Sequence, residues 1–334
     1  MPPPEMAAGK CCSATPVKRD PPTTAEGICT STTRFRTVTE DTETLRPDDA
    51  FTLLADRTRI KIIRALGDAS TPGVPETLPF SELRRRADIS GSGRFNYHLG
   101  KLVGQFVEET EDGYRLSYPG VRVYQAIKAG TFTDRVRIDP FELDAVCHVC
   151  GAPQEAAYDD SMFRVRCGGD CGAVFYKYFC PPSSLADRER EGVLHAANER
   201  IQREIASMAK GVCPWCCGRM TARILPPDAE MPHRDNPAIE HRVLHACDTC
   251  DGAIYTRLGG LVVTHPAVVS FFHDHAVDVT RRHIWSLPFA ASDERTTITD
   301  RDPLRATVRI GCEGDTLRLH LDEEPSVIEA TRVD

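Results

Sequence analysis

Four closely spaced pairs of cysteines constrain the fold of this chain more than any other feature. They form two sets, with 16 residues between the pairs of the first set and 30 between those of the second. The first set is Cys147, Cys150, Cys167 and Cys171, and the second is Cys213, Cys216, Cys247 and Cys250. Each pair places two thiolates on one side of a tight turn, and two facing turns complete a tetrahedral S₄ shell. We therefore predict two zinc-ribbon-like units, each holding one structural Zn²⁺.

The same cysteines leave two other interpretations open, redox disulfides and an iron–sulfur cluster. Six further cysteines lie outside the two sets: Cys11, Cys12, Cys29, Cys180, Cys217 and Cys312. Cys217 follows Cys216 directly, which raises the hypothesis that it replaces Cys216 as a ligand under oxidation. A closed S₄ shell has no open coordination position, so neither zinc site is expected to be catalytic.

Length and composition limit the kinds of protein that this chain can be. With 334 residues, 41% of them hydrophobic, the chain is long enough for two or three domains with real cores. No apolar run reaches the roughly 18 residues of a membrane span, and the N-terminus lacks the apolar stretch of a secretory signal. We expect a cytoplasmic protein without a membrane partner. In that reducing compartment paired cysteines indicate metal rather than disulfides, which agrees with the zinc prediction.

The patterns along the chain predict an α+β protein: a winged helix-turn-helix, two zinc-ribbon-like units with a linking helix between them, and a small α/β tail. The predicted segments are a disordered region at 1–46, the winged helix at 47–132, the first ribbon at 141–182, the linking helix at 183–211, the second ribbon at 212–258 and the tail at 259–334. In the linking helix, apolar residues three or four apart predict one buried face. These are Leu194, Ala197, Ile201, Ile205 and Met208.

Residues 51–118 carry the pattern behind the winged helix-turn-helix. Three helical stretches are followed by FVEETEDGYRLSYPG, which predicts two strands joined by an Asp-Gly turn. In the third helix, apolar residues share an inner face and four polar ones are left outside: Arg94, Asn96, Tyr97 and Lys101. Arginine and asparagine match guanine and adenine edges, and lysine and tyrosine reach phosphates or thymine methyls. We predict that this helix reads double-stranded DNA and that Arg115, in the hairpin, contacts a phosphate.

The segment PFSELRRRADISGSGRFNYHLGKLVGQFVEETEDGYRLSYPG resembles the DNA-binding domain of ArsR-like archaeal transcriptional regulators. Together with the downstream cysteines, it is similar to a haloarchaeal group of such regulators. The resemblance implies a DNA-binding regulator that acts as a homodimer on a pseudo-palindromic site. The metal-sensing members carry a Cys-x-Cys in or beside the DNA-reading helices, whereas residues 51–118 contain no cysteine. Sensing of an arsenite-type ligand by that route is therefore not expected.

These observations favour a sequence-specific DNA-binding transcriptional regulator over an enzyme. The chain has no Gly-rich phosphate loop, no Gly-x-Ser-x-Gly elbow and no His-Glu-x-x-His motif. Two alternatives remain: a zinc-ribbon adaptor that binds protein or RNA, and a thiol-based redox sensor. Four histidines surround an apolar stretch of the tail, and we interpret them as packing or surface residues: His265, His273, His275 and His283.

Overall fold

The computed structural model describes residues 45–71, 75–185, 188–225, 229 and 239–333. The fold is mixed α+β, and its four sheets are all antiparallel. Apart from Leu45 and Arg46, the predicted disordered segment lies outside the described residues, as do Cys11, Cys12 and Cys29. Within the described part of the chain, no helix has the length and apolarity needed to cross a lipid bilayer.

The described residues between 45 and 128 form five helices and one hairpin. In chain order they are α1 (Pro47–Leu54), α2 (Arg57–Ala69), α3 (Phe80–Arg86), α4 (Ser92–Leu102), β1 (Val107–Thr110), β2 (Gly113–Leu116) and α5 (Tyr118–Lys128). Helix α2 begins where it does because the Asp56 side chain accepts the backbone N–H groups of Thr58 and Arg59, at 2.7 and 3.1 Å. The predicted helices and hairpin are thus present.

A small core joins α2, α3, α4 and the hairpin. Its fully buried side chains come from α2, α3, α4 and the hairpin, and include Ile62, Leu66, Leu83, Phe95, Leu99, Leu102 and Val107. The sequence did not predict one contact, in which Leu78 pairs with Tyr114 of β2 through two backbone hydrogen bonds of 2.9 Å. Gly113 makes this approach feasible, because a Cβ there would meet the Leu78 carbonyl oxygen at 2.2 Å.

In the middle of the chain, the residues that the structure describes form two sheets and a long helix. The first sheet contains β3 (Ile138–Val146), β4 (Pro153–Asp159), β5 (Met162–Cys167) and β6 (Val174–Phe179), in that order. Helix α6 (Arg190–Met208) follows, and then a three-stranded sheet of β7 (Met220–Ile224), β8 (Val243–Cys247) and β9 (Ala253–Thr256). The cysteine sets lie at the ends of these two sheets.

The last part holds three helices and a four-stranded meander. They are α7 (Leu258–Leu261), α8 (Pro266–Asp274), α9 (Pro288–Ala291), β10 (Thr296–Arg301), β11 (Leu304–Cys312), β12 (Asp315–Leu321) and β13 (Val327–Val333). The alternation of Leu317, Leu319 and Leu321 in the sequence predicts a half-buried strand, and all three side chains are buried in β12.

The two predicted ribbons, the linking helix and the tail share one hydrophobic core. A single cluster of buried side chains runs from Phe141 to Leu321 and draws on all four segments. The predicted apolar face of α6 belongs to it, with Leu194, Ala197 and Ile201 all buried. Segments that were predicted as successive units therefore depend on one another for burial.

Helix α6 also buries two amides that bind the chain before Trp285. Asn198 accepts the backbone N–H of Ile284 at 2.8 Å and donates to the Arg282 carbonyl at 3.2 Å. Gln202 donates to the same carbonyl at 3.0 Å. These bonds satisfy backbone groups in a stretch that has no regular ladder of its own, and so fix the position of the fully buried Trp285.

We predict that Asn198→Ala destabilises the protein by about 2 kcal/mol, because the buried Ile284 N–H loses its acceptor. Thermal or denaturant unfolding of the metal-loaded chain measures the change. Glu199→Ala is the matched control, since it alters the neighbouring exposed residue of the same helix. An effect of Asn198→Ala no larger than that of the control would contradict this account.

Candidate metal centres and nucleic-acid interface

The eight predicted ligands form two compact sulfur clusters. Within each set of four cysteines, the sulfur atoms all lie within 4.8 Å of one another, so each cluster can hold a metal ion. The shortest separations are 3.4 Å for Cys150–Cys167 and 3.5 Å for Cys216–Cys247. Tetrahedral sulfurs bonded at about 2.3 Å to a zinc ion are about 3.8 Å apart. The clusters have nearly this spacing and therefore fit a tetrahedral metal ion.

Each cysteine pair lies in a tight turn, which we call a knuckle. The backbone N–H of the first cysteine donates to a carbonyl just beyond the second: Cys147 to Ala152, Cys167 to Ala173, Cys213 to Gly218 and Cys247 to Gly252. The second knuckle spans one residue more than the others because its pair is Cys-x₃-Cys. Backbone N–H groups also point at the sulfurs, as from Gly169 to Cys167 at 3.2 Å.

The residue after the second cysteine adopts a left-handed backbone in all four knuckles. In the first cluster it is glycine, with φ of 76° at Gly151 and 74° at Gly172. In the second cluster it is Cys217, with φ of 60°, and Asp251, with φ of 54°. Side chains other than glycine are strained in this region. Cys217 therefore occupies a turn position that favours glycine.

Gly218 and Gly252 of the second cluster are needed for space rather than for a positive φ. A Cβ at Gly218 would meet the Thr249 hydroxyl at 2.5 Å, and one at Gly252 would meet the Trp215 ring at 2.3 Å. The glycine that follows each cysteine pair in the sequence predicts backbone freedom in all four knuckles, and this prediction is wrong for Gly218 and Gly252. The position directly after the second cysteine of each pair is the one that takes a left-handed backbone, and its identical place in all four pairs is the sequence signal that could have predicted this turn.

Local electrostatics make the first cluster favourable for a cation. Backbone hydrogen bonding from Ala152 lowers the pKa of the Cys150 thiol to about 7. Burial and the neighbouring thiols raise the pKa of Cys167 to about 12. Thiols this close cannot all ionise without a compensating positive charge. A bound dication supplies that charge and makes all four available as thiolate ligands.

The predicted DNA-reading residues lie together on the exposed side of α4. Phe95, Leu99 and Leu102 are buried on the opposite side. The outward set is Arg94, Asn96, Tyr97 and Lys101, and all four are exposed. The Lys101 ammonium lies 5.8 Å from the Tyr97 ring centroid, and the Arg94 guanidinium donates to the Thr58 hydroxyl at 3.3 Å. The helix thus presents polar and basic groups on one continuous surface.

Arg115 has a different environment from the α4 residues. It forms an ion pair with Glu108, with an N–O distance of 2.8 Å, across the β1–β2 hairpin. Glu109, Glu111 and Asp112 add three more carboxylates to the same short hairpin. Carboxylates repel phosphate, so the hairpin is electrostatically less suited than α4 to contact a nucleic-acid backbone.

Two glycines lie on the outward surface of α4: Gly100, which the sequence pattern already placed outside, and Gly93, which the sequence predicted in the turn before the helix. Gly93 and Gly100 are exposed, and a Cβ built on either meets no atom within 4 Å. Gly100 is helical and has φ outside the left-handed region, so neither crowding nor backbone geometry within the chain requires glycine there. Glycine inside a helix costs about 1 kcal/mol relative to alanine. Glycine at this position would be required if the surface of α4 had to approach a partner closely.

The four histidines of the tail do not converge on one site. His265 caps α8 by accepting the Ala267 N–H, and His275 bonds to the Phe271 carbonyl and to Asp315. His283 stacks on Trp285 at 4.8 Å between ring centroids, and His273 is exposed. Among the described residues, the two cysteine clusters are the only groups of suitable side chains close enough to share a metal ion.

We predict that Cys217→Gly raises the melting temperature by about 2–4 °C, because it relieves roughly 1 kcal/mol of left-handed strain. Cys217→Val should lower the melting temperature, since a β-branched side chain fits that backbone worse. Both variants are melted in zinc-containing buffer and assayed for bound metal. Loss of metal in Cys217→Gly would instead make Cys217 a ligand.

Two protein-family models match this chain, in two separate ranges. A model described as "Domain of unknown function (DUF7347)" matches residues 47–127, which hold α1 to α4, the hairpin and all of α5 except Lys128. A second, described as "Domain of unknown function (DUF7351)", matches residues 144–327, which hold both cysteine clusters. A search of the curated proteins finds no match. The second model covers more than half of the length of this chain, and the chain therefore belongs to the DUF7351 family.

Proposed function

We propose that this protein is a sequence-specific DNA-binding transcriptional regulator. Residues 47–132 act as a winged helix-turn-helix of the ArsR-like type, and α4 enters the major groove. The observation that carries the proposal is the outward surface of α4, where Arg94, Asn96, Tyr97 and Lys101 are exposed beside Gly93 and Gly100. Helices of such modules read base edges from one exposed side while the other side packs on the core.

Each outward residue has a role in this proposal. Arg94 and Asn96 read base edges, since their side chains form bidentate pairs with guanine and adenine. Lys101 and Tyr97 bind phosphate or a thymine methyl. The missing side chains at Gly93 and Gly100 allow the helix backbone to lie close to the groove floor. Arg115 has a minor role, because it must leave Glu108 before it can bind a phosphate.

The regulator acts as a homodimer on a pseudo-palindromic site. A single α4 is only 11 residues long and contacts few base pairs. A second copy doubles the contacts and fixes the spacing of the half-sites. Binding at a promoter then alters access of the transcription machinery, with phosphate contacts setting affinity and base contacts selecting the site.

The two cysteine clusters hold structural Zn²⁺ in this proposal. Cys147, Cys150, Cys167 and Cys171 bind one ion, and Cys213, Cys216, Cys247 and Cys250 bind the other. A donor set of four thiolates at tetrahedral spacing suits zinc, and it leaves no coordination position for a substrate. The role of the metal is to fold residues 141–258, and no catalytic step is assigned to it.

The acidic hairpin favours a second candidate, an adaptor that binds protein. Glu108, Glu109, Glu111 and Asp112 would attract a basic partner rather than DNA. In that case Arg94 and Asn96 would be dispensable, and a stable complex with a protein would form without nucleic acid. The glycines of α4 favour the DNA proposal, because the hairpin alone gives no reason for them.

We predict two zinc ions per chain, measured by elemental analysis of the purified protein. Cys147→Ser and Cys213→Ser should each reduce the content to about one, because three thiolates and a hydroxyl bind zinc far less tightly. Cys312→Ser is the matched control and should retain both ions, since it lies outside the clusters. Iron, or fewer than two metal ions in the unaltered chain, would contradict the zinc assignment.

We predict that Gly100→Ala separates stability from DNA binding. The variant should gain about 0.5–1 kcal/mol of stability, because alanine is the better helix former. It should also bind weaker to duplexes that the unaltered protein selects from a random library, because the added methyl separates α4 from the groove.

Gly192→Ala makes the same substitution in α6, where the new Cβ would meet Arg188 at an ordinary 3.4 Å. It should leave DNA affinity unchanged. Failure of the unaltered protein to enrich any sequence, or equal affinity of Gly100→Ala and the unaltered protein, would refute the proposed function.

A further inference from the structure

The sheet of β10 to β13 has one apolar face and one face rich in arginine. Buried apolar residues alternate along the two central strands: Ala306, Val308 and Ile310 in β11, and Leu317, Leu319 and Leu321 in β12. The polar Thr307 between them is also buried, and it hydrogen-bonds to His320 at 3.0 Å. Because side chains alternate between faces of a strand, the residues between the apolar ones lie on the outer face. These include Arg305 and Arg309 in β11 and Arg318 and His320 in β12.

Three of the arginines form a row across the strands. Arg309 lies directly opposite Arg318 in the β11–β12 register. On its other side, β11 pairs with β10, and Thr296 lies opposite Val308. The same register continues by one residue and places Arg295 opposite Arg309, whose backbone N–H donates to the Arg295 carbonyl at 2.9 Å. Directly opposite residues in an antiparallel sheet have Cβ atoms about 5 Å apart. We call Arg295, Arg309 and Arg318 the arginine row.

Nothing within the described chain neutralises this row. None of its three guanidinium groups forms an ion pair with another described residue, although fourteen such pairs occur among those residues. The Arg318 Nε is buried and has no hydrogen-bond partner there. Like charges directly opposite each other destabilise a sheet, so the row costs stability in the isolated protein.

The acidic side chains on the outer face lie on the outermost strands. Asp300 in β10 accepts the backbone N–H groups of Arg301 and Asp302, and Glu329 in β13 lies opposite His320. The charged side chains that β11 and β12 direct outward are therefore all basic. This occurs in a chain whose net charge is −8, so the positive charge is concentrated locally.

We propose that the arginine row binds the phosphate backbone of DNA. Closely spaced guanidinium groups without internal partners match the closely spaced phosphates of a nucleic-acid strand. This contact rests on the proposed regulatory function and adds a second, sequence-independent DNA surface to that of α4. A peptide carboxylate partner would need the same charge, and the test below separates the two.

The test uses the zinc-loaded full chain and measures the salt dependence of binding to a random-sequence duplex by fluorescence anisotropy. The R295Q/R309Q/R318Q variant should bind roughly tenfold weaker at low salt, and the slope of log K against log salt should fall by about 2 to 3, near 0.9 for each lost phosphate contact. The R188Q/R203Q/R281Q variant removes the same charge from exposed positions elsewhere and should retain the slope.

A melting curve at low salt without DNA tests folding of the same variant. The arginine-row variant should melt at least as high as the unaltered protein, because it relieves like-charge repulsion. If its salt slope is unchanged, or if the control variant loses as much slope, the proposal is wrong.

The R94A/N96A variant separates this inference from the proposed function. It should lose preference for selected sequences but keep its salt slope on random DNA. If only the arginine-row variant behaves as expected, the sheet binds DNA, and the proposal that α4 reads the DNA sequence is wrong. If only R94A/N96A behaves as expected, α4 reads DNA and the arginine row has no part in it.

Discussion

The two four-cysteine clusters are the constraint on which most of this structure depends. In each knuckle the first cysteine is buried in the shared core, whereas the second is exposed or half-buried. A metal ion bound to both would therefore link the core to the surface turns. Because one apolar cluster joins residues 141 to 321, metal bound at the two cysteine clusters would support α6 and the C-terminal sheet as well as the strands beside them. Without a cation, four thiols at these distances would resist ionisation, and each knuckle would lose its cross-link.

Much of the architecture could be predicted because its signals are local. The paired cysteines, the helical periodicity of Leu194 to Met208 and the alternation of Leu317 to Leu321 each concern neighbouring residues. All three predicted the observed elements. The features that were missed depend on pairing between distant segments: Leu78 beside Tyr114, and Arg295 beside Arg309 and Arg318. Strand register decides which side chains meet, and composition alone does not specify register. The left-handed turn at Cys217 was missed because a cysteine occupies a position that glycine holds in the first cluster.

The charge distribution connects the two parts of the proposed function. Acidic residues outnumber basic ones in the chain, yet α4 and the outward sides of β11 and β12 direct basic groups, and no acidic ones, toward solvent. Both surfaces reduce stability in the isolated protein, through a helical glycine at Gly100 and through like-charge repulsion between Arg309 and Arg318. Such costs are typical of surfaces that function in binding rather than in folding. The acidic β1–β2 hairpin is the exception, so the proposed function places the main DNA contacts on α4 rather than on the hairpin.

Hydrogen exchange on metal-free and zinc-loaded protein tests the central structural claim most directly. The account predicts that zinc restores slow exchange together in β3 to β9, α6 and β10 to β13, because these elements share one core. The amides of α2 and α4 should exchange alike with and without metal, since their core is separate. Protection of α6 and the C-terminal sheet that does not depend on metal would contradict the claim that the cysteine clusters hold this half of the molecule together.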